Sequence, residues 1–320
     1  MDCPVTLSIV FTGTSTLDEA GTFYHKSCAK KLFESQQIPA LNYTLEELNE
    51  LAKNTILERV SVPGVQPKLS LHLERGAKET ASRLTLVGLA GDYILKPQSP
   101  QWKNLPEAEH FCMLLAKKCR ITVAEFGLIP LKSGELAYIT RRMDRKKGNM
   151  LHMEDFCQIL NKMTSQKYHG SMEQIGKALR EHSAVPGLDV IRYFELAVFC
   201  FLTGNSDMHL KNFSLLQTEE GQWILSPAYD LVPVKIILPQ DTEELALTLN
   251  GKKNRLKRSD FETFGTALKL NGIQIRKAVQ RITGFLEKFL EQTLQESFLP
   301  EEMQLAANTL ITERIARIKS

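Results

Sequence analysis

Three oxygen-bearing side chains stand out between Thr203 and Leu231, in the stretch TGNSDMHLKNFSLLQTEEGQWILSPAYDL. Asp207 is followed five positions on by Asn212. Two short apolar runs come next, separated by a turn at Glu219-Glu220-Gly221, and then Asp230. That order suits phosphoryl transfer, in which one Asp orients the attacking hydroxyl and accepts its proton while an Asn and a second Asp hold Mg²⁺. Such a reaction needs positive charge and positioning more than covalent chemistry. Mg²⁺ is a hard cation and prefers oxygen ligands such as Asn212 and Asp230. His209 and Lys211 lie in the same loop. Lys211 is placed to neutralise phosphate charge, and His209 reads as a hydrogen-bonding support of the loop. His209 has no second histidine at metal-binding spacing, which argues against a zinc hydrolase, and no G-x-S-x-G occurs.

A site of this kind must be built from elements upstream. Ser61, Val62, Gly64, Val65, Gln66 and Lys68 fall in a loop with one Gly and two Pro, which feeds an alternating strand at Leu69, Leu71 and Leu73. Kinases cover ATP phosphates with the backbone N–H groups of such a loop, although a plain turn is the simpler reading of the pattern taken alone. Lys96 ends the short apolar strand YILK, and Glu109 follows thirteen residues later in a helix that opens with Pro106 and acids in its first turn. The spacing places Glu109 to pair with Lys96, as the ATP-binding lysine of a kinase pairs with a helix glutamate. A surface lysine and a glutamate facing the helix dipole are the bland alternatives. Strands are expected near 125–131 and 135–140, and the segment Tyr138, Ile139 and Arg141 would contact adenine through its backbone.

Residues 60–143 are strand-rich with one helix, and residues 144–320 are largely helical. The fold class is therefore α+β, with three regions expected: a small module at 1–43, a strand-rich N-lobe at 44–143, and a helical C-lobe at 144–320. Thr44 and Glu47 form a capping box that opens a helix. The most apolar helix, near 188–202, stops at Gly204 and delivers the chain into the Asp207 loop. Residues 231–250 read as loop and strand, and two amphipathic helices near 273–298 and 301–319 finish the chain.

The bulk numbers are those of an ordinary globular protein: 320 residues, 43% hydrophobic, 24% charged. A net charge of +3 is too small to imply nucleic-acid binding. Six scattered cysteines suit a reducing cytosol, and the N-terminus carries no secretory pattern, so a cytoplasmic location away from membranes is expected. Cys3, His25 and Cys28 have zinc-like spacing but lack a fourth ligand nearby, and ordinary cysteines are the simpler reading. The basic cluster at 251–258 reads as a solvated loop or a site for an anionic partner.

Four stretches together resemble a known family: SVPGVQPK at 61–68, YILKP at 93–97, GNSDMHLKNFS at 204–214 and SPAYDL at 226–231. They are similar to the signatures of HipA-type toxins, serine/threonine kinases of bacterial toxin–antitoxin systems whose fold is related to phosphoinositide 3/4-kinases. The likeness runs from about residue 40 to about residue 265, and the chain's compactness is most similar to the HipT-type kinases. It implies a bilobal kinase fold using ATP and Mg²⁺, with an aminoacyl-tRNA synthetase as the substrate class. It also implies a helix-turn-helix (HipB-like) antitoxin that supplies any contact with DNA, a HipS-like small protein as a further partner, and autophosphorylation of a Gly-loop serine, here Ser61. Pro63 stands where some relatives carry a second serine or a small residue, which argues against a two-site scheme. Other readings of the same constellation are a pseudokinase acting through partners and a small-molecule kinase.

Overall fold

A computed structural model describes residues 26–57, 66–75, 82–88, 91–146 and 148–320. The chain divides into two compact units. The first takes in the described residues up to Phe111, with Ala124–Met143 and Glu296–Phe298, and the second holds Cys112–Val123, Asp144–Gln295 and Leu299–Ser320.

In the first unit, α1 (Lys26–Phe33) and α2 (Leu45–Leu57) precede three strands, β1 (Leu69–Glu74), β2 (Arg83–Leu86) and β3 (Tyr93–Lys96). Then come α3 (Leu105–Lys118), whose last turns belong to the second unit, β4 (Phe126–Pro130) and β5 (Leu136–Arg141). The five strands form one antiparallel sheet in the order β2-β1-β3-β5-β4. Strand side chains alternate between faces, so the register Leu69↔Leu95↔Ile139 puts these residues, with Leu71 and Ala137, on one face. Ala29, Leu32, Phe33, Leu41 and Leu48 join them in a single apolar core. The described part of residues 1–43 is thus built into this unit as a layer on its sheet, and Ala40 also bonds the β2 edge through Ser82 and Leu84. The capping box is present in both directions: Glu47 N–H donates to Thr44 Oγ1 at 3.2 Å and Thr44 N–H to Glu47 Oε2 at 2.7 Å.

The second unit contains a short hairpin, β6 (Arg145–Lys146) and β7 (Asn149–Met150), and then β8 (Met153–Asp155) with α4 (Phe156–Ile159). After α5 (Met172–His182) and α6 (Pro186–Thr203), β9 (Ser214–Gln217) and β10 (Trp223–Leu225) complete a sheet in the order β10-β9-β8. The helices α7 (Val234–Ile237), α8 (Arg258–Ala267), α9 (Gly272–Gln295) and α10 (Glu301–Lys319) follow. Residues 231–250 therefore hold a short helix and turns where loop and strand are expected; the only pairings there among the described residues are the single bridges Ser171↔Thr248 and Leu249↔Lys252.

Every residue of α6 from Tyr193 to Thr203 is buried, so it has no polar stripe and runs through the middle of its unit. Phe194 stacks on Phe264, Phe201 packs on Phe261, and Tyr193 meets Phe213 edge-on. The helix ends at Gly204, whose φ of 75° is left-handed and whose N–H returns to the carbonyls of Cys200 and Phe201. Arg314 of α10, only 3% exposed, also donates to the Phe201 carbonyl. In the basic cluster, Lys252, Lys253 and Arg258 are paired with Asp260, Glu243 and Glu262.

Candidate active site

The first unit builds a cation. Lys96 lies opposite Tyr138 in the sheet, on the face turned away from the α1–α2 core. Lys96 is 3% exposed and its Nζ sits 2.6 Å from Glu109 Oε1 of α3, itself fully buried. The ammonium also lies 5.3 Å from the centre of the Tyr138 ring, which stacks on Phe126. Just after Lys96, the Pro97 carbonyl accepts from Gln66 Nε2 at 3.0 Å, tying the end of the Gly-containing loop to the lysine strand. Gln98 donates to Glu107, whose carboxyl burial pushes up while that hydrogen bond pulls it down. Lys68 is exposed at the mouth of β1. Ser61, Val62, Gly64 and Val65, like Cys3 and His25, lie outside the described residues. Cys28 is buried on α1.

The segment 138–141, expected to contact adenine through its backbone, forms the C-terminal part of β5. β5 is an inner strand, so Tyr138 and Ile139 are paired with both β3 and β4. The Arg141 N–H goes to the Glu125 carbonyl, and its guanidinium to Glu34. An inner strand has its main-chain groups shared between both neighbours, and Tyr138 and Ile139 sit in that setting while Arg141 ends the strand.

The second unit builds the oxygen-rich loop. Gly204 releases the chain from α6, and a 3-10 turn at Leu210–Asn212 brings Asn212 under Asp207. Asn212 Nδ2 donates to the Asp207 carbonyl at 3.0 Å, and Asp207 N–H to Asn205 Oδ1 at 3.3 Å. Asp207 itself is half-buried, while Asn205, His209 and Asn212 are buried. The Asp207 carboxylate accepts from the Tyr168 hydroxyl at 2.6 Å. His209 packs edge-on against the Tyr168 ring, and its Nδ1 has no hydrogen-bond partner. Burial holds the imidazole's pKa down; the charges of Asp207 and Asp230 pull it upward, which brings both carboxylates within electrostatic reach of one ring. Lys211 Nζ is paired with Asp155 Oδ2 at 2.6 Å. Tyr229 closes the base of the loop, its hydroxyl donating to the Lys211 carbonyl and meeting Ser214 Oγ. Asp230 follows with φ of 59°, a left-handed conformation that Asp tolerates better than most side chains.

Among the described residues no group of three or more His, Cys, Asp or Glu side chains could hold a metal. A metal here would therefore rest on an amide and a carboxylate. Asn212 fits that role, because its nitrogen is spent on the Asp207 carbonyl and its oxygen remains as an acceptor. Asp230 would be the carboxylate, and both residues carry the hard oxygen donors that Mg²⁺ accepts alongside phosphate and water.

Tyr168 and Asp155 are the residues that reasoning from sequence passed over. Tyr168 lies in the polar stretch 167–171, where no spacing marks it for chemistry. Asp155 had a legible signal, since Asp155 and Gln158 form a capping box on α4, but its bond to Lys211 spans 56 positions.

The fold and the site define a kinase-like α+β protein. The family model for the HipA-like C-terminal domain matches residues 60–292, and the chain belongs to that family. A putative kinase, Y4dM, of Sinorhizobium fredii is 32% identical over 216 residues, covering 63% of this chain and 52% of that protein. A putative kinase of Haemophilus influenzae is 29% identical over 272 residues, 76% of this chain and 77% of the relative. The serine/threonine-protein kinase toxin HipA of Shewanella oneidensis is 32% identical over 61% of this chain and 47% of its own length. The chain thus spans about half the length of Y4dM and of that toxin. Among solved structures, Shewanella oneidensis HipA, determined with HipB and operator DNA, superposes with a TM-score of 0.67 at 22% identity, over 88% of this chain and 74% of its own. The Helicobacter pylori proinflammatory kinase CtkA gives 0.55 at 18% identity, over 73% and 90%. Both likenesses describe the fold. No helix among the described residues is long and apolar enough to cross a membrane.

Proposed function

We propose that the chain is an ATP- and Mg²⁺-dependent serine/threonine protein kinase, the toxin of a toxin–antitoxin system. The observation that carries this reading is the Lys96–Glu109 pair. Two charges at 3% and 0% exposure cost desolvation free energy that their attraction hardly recovers, so stability alone gives little reason to keep them. A buried, neutralised ammonium is what a phosphate-binding lysine needs. In the other unit, Asp207 orients the acceptor hydroxyl and takes its proton, and Asn212 and Asp230 hold Mg²⁺. When bound, Mg²⁺ draws charge off the phosphate oxygens. Lys211, held by Asp155, serves as a further cation beside the loop.

The substrate class in this reading is an aminoacyl-tRNA synthetase, and the partners are a HipB-like helix-turn-helix antitoxin, through which alone the chain meets DNA, and a HipS-like small protein. Ser61 is the autophosphorylation site, and the location is the cytoplasm. Support for the antitoxin comes from the HipB complex of the Shewanella relative. The test is incubation with labelled ATP, Mg²⁺ and a bacterial lysate. A labelled band with wild type that disappears with Asp207→Gln is expected; no band, or an unchanged one with the variant, defeats the reading. Intact mass before and after ATP, compared with Ser61→Ala, tests the serine.

A further inference from the structure

Tyr168 has no task in the kinase chemistry assigned to Asp207, Asn212 and Asp230. The residue is 39% exposed, yet it is fixed from several sides. The carbonyl of Lys167 accepts from the Leu210 N–H of the catalytic loop at 3.1 Å, and the Gly170 carbonyl accepts from Thr248 N–H and Oγ1 at 3.3 Å. The His169 N–H closes a turn onto Gln166. The Lys167 ammonium lies 4.9 Å from the centre of the Tyr168 ring, and His209 meets that ring edge-on at 5.1 Å. A half-exposed tyrosine ordinarily gives its hydroxyl to water. This one gives it to Asp207 Oδ1 at 2.6 Å, the length of a charge-assisted O–H···O⁻ bond. Burial, and then the bond to Asp207, raise the phenol's pKa, so it stays a proton donor at any working pH. Among the described residues no hydrogen bond or ion pair reaches the other carboxylate oxygen, Oδ2.

We propose that Tyr168 is the acceptor-side positioning residue: it pins Oδ1 of Asp207 so that Oδ2 is presented to the substrate hydroxyl. The inference rests on the kinase reading of Asp207, and all of its geometry lies within one unit. In the transfer, the substrate O–H gives its proton to Oδ2 while its oxygen bonds to the γ-phosphorus. The bond from that phosphorus to the ADP oxygen breaks and ADP leaves. Tyr168 keeps its own proton throughout. A carboxylate held at one oxygen spends less of its time in unproductive rotamers, so the gain lies in turnover rather than in binding. The exposed segment 163–169 brings the tyrosine to the surface, where a protein acceptor arrives.

The test is Tyr168→Phe, which keeps the ring and its packing and removes only the hydroxyl. With γ-labelled ATP, self-labelling and labelling of lysate protein at saturating ATP should slow about tenfold, the worth of one hydrogen bond to a charged group, while KM for ATP stays within about twofold. Melting should be unchanged to within a few degrees. A readout free of turnover uses ring-¹³C-tyrosine NMR on the nucleotide-free protein: the Tyr168 Cζ resonance should move in Asp207→Asn. Full-rate labelling by Tyr168→Phe overturns the proposal. So does faster labelling, which would make the phenol a plug over the base. Phosphate found on Tyr168, or a Cζ resonance that Asp207→Asn leaves in place, overturns it too. A wild type that labels neither itself nor the lysate defeats the kinase reading and this inference with it, whereas an active wild type with an equally active Tyr168→Phe defeats this inference alone.

Discussion

Two charged centres, one in each unit, are held by opposite means. Lys96 and Glu109 are dry, at 3% and 0% exposure, between a strand end and a helix that also buries Glu107 and His110. Asp207 is half-buried and is held by hydrogen bonds from Tyr168, to Asn205 and through Asn212, on a loop hung from α6. A buried cation is placed by the impossibility of leaving its counter-ion, whereas a carboxylate that must meet a visiting hydroxyl has to stay partly open and is placed by donors around it. The contrast means that damage to the first centre should register as lost stability and damage to the second as lost rate.

The largest effect expected is from Asp207→Asn, which removes the base without changing shape. Labelling should fall by about 10² to 10⁴, the usual worth of a general base, with an unchanged melting curve. A melting shift of many degrees would erase the contrast. Glu109→Ala removes the carboxylate 2.6 Å from the buried Lys96 ammonium and should cost about 3–5 kcal/mol in denaturant unfolding. The double variant Lys96→Met/Glu109→Leu should regain most of that loss while remaining inactive; a single-variant cost below about 1 kcal/mol would show that the pair is wet. Gly204→Ala sits between the two kinds of damage. A Cβ there would lie 2.6 Å from Leu310 Cδ2 and 2.9 Å from Lys235 Cβ, at a φ of 75°. It should cost about 1–3 kcal/mol and slow labelling as well, because the loop starts at that residue. The smallest effect concerns Glu34, whose carboxyl is held below the usual range by hydrogen bonds from Arg141 and then Arg75. A lowered carboxylate pKa stabilises the fold above the unfolded-state pKa, and the contribution fades as pH falls through the folded value. Glu34→Gln should therefore lower unfolding free energy by about 0.5 kcal/mol at pH 7, and wild type and variant should converge in acid.

Much of this was legible because it is local. The thirteen-residue step from Lys96 to Glu109 is a strand end followed by the second turn of a helix, and chain periodicity alone brings such positions together. The Asp207–Asn212 spacing is a single loop, and a long apolar run ending in glycine marks α6 as buried. The Thr44–Glu47 box needs only four residues. What stayed hidden depends on register between distant segments. Tyr168 reaches Asp207 across 39 positions and Asp155 reaches Lys211 across 56, and no pattern in either segment names its partner. The setting of β5 was hidden for a related reason: it reads as a strand, but only the strand order shows it to be an inner one. Residues 26–41 looked like part of a separate module because their apolar positions find their partners only when the sheet they cover is assembled.

The burial of α6 from Tyr193 to Thr203 also bears on how the molecule comes apart. Amides in such a segment exchange with solvent only when the surrounding unit opens, whereas edge strands and exposed turns exchange through small local openings. The Asp207 loop hangs from the end of that slowest segment. Partial melting elsewhere in the unit would leave the loop on its anchor, and loss of the anchor would take the whole unit with it. The population should therefore divide into molecules with the carboxylate in place and molecules with no site at all, with few in between.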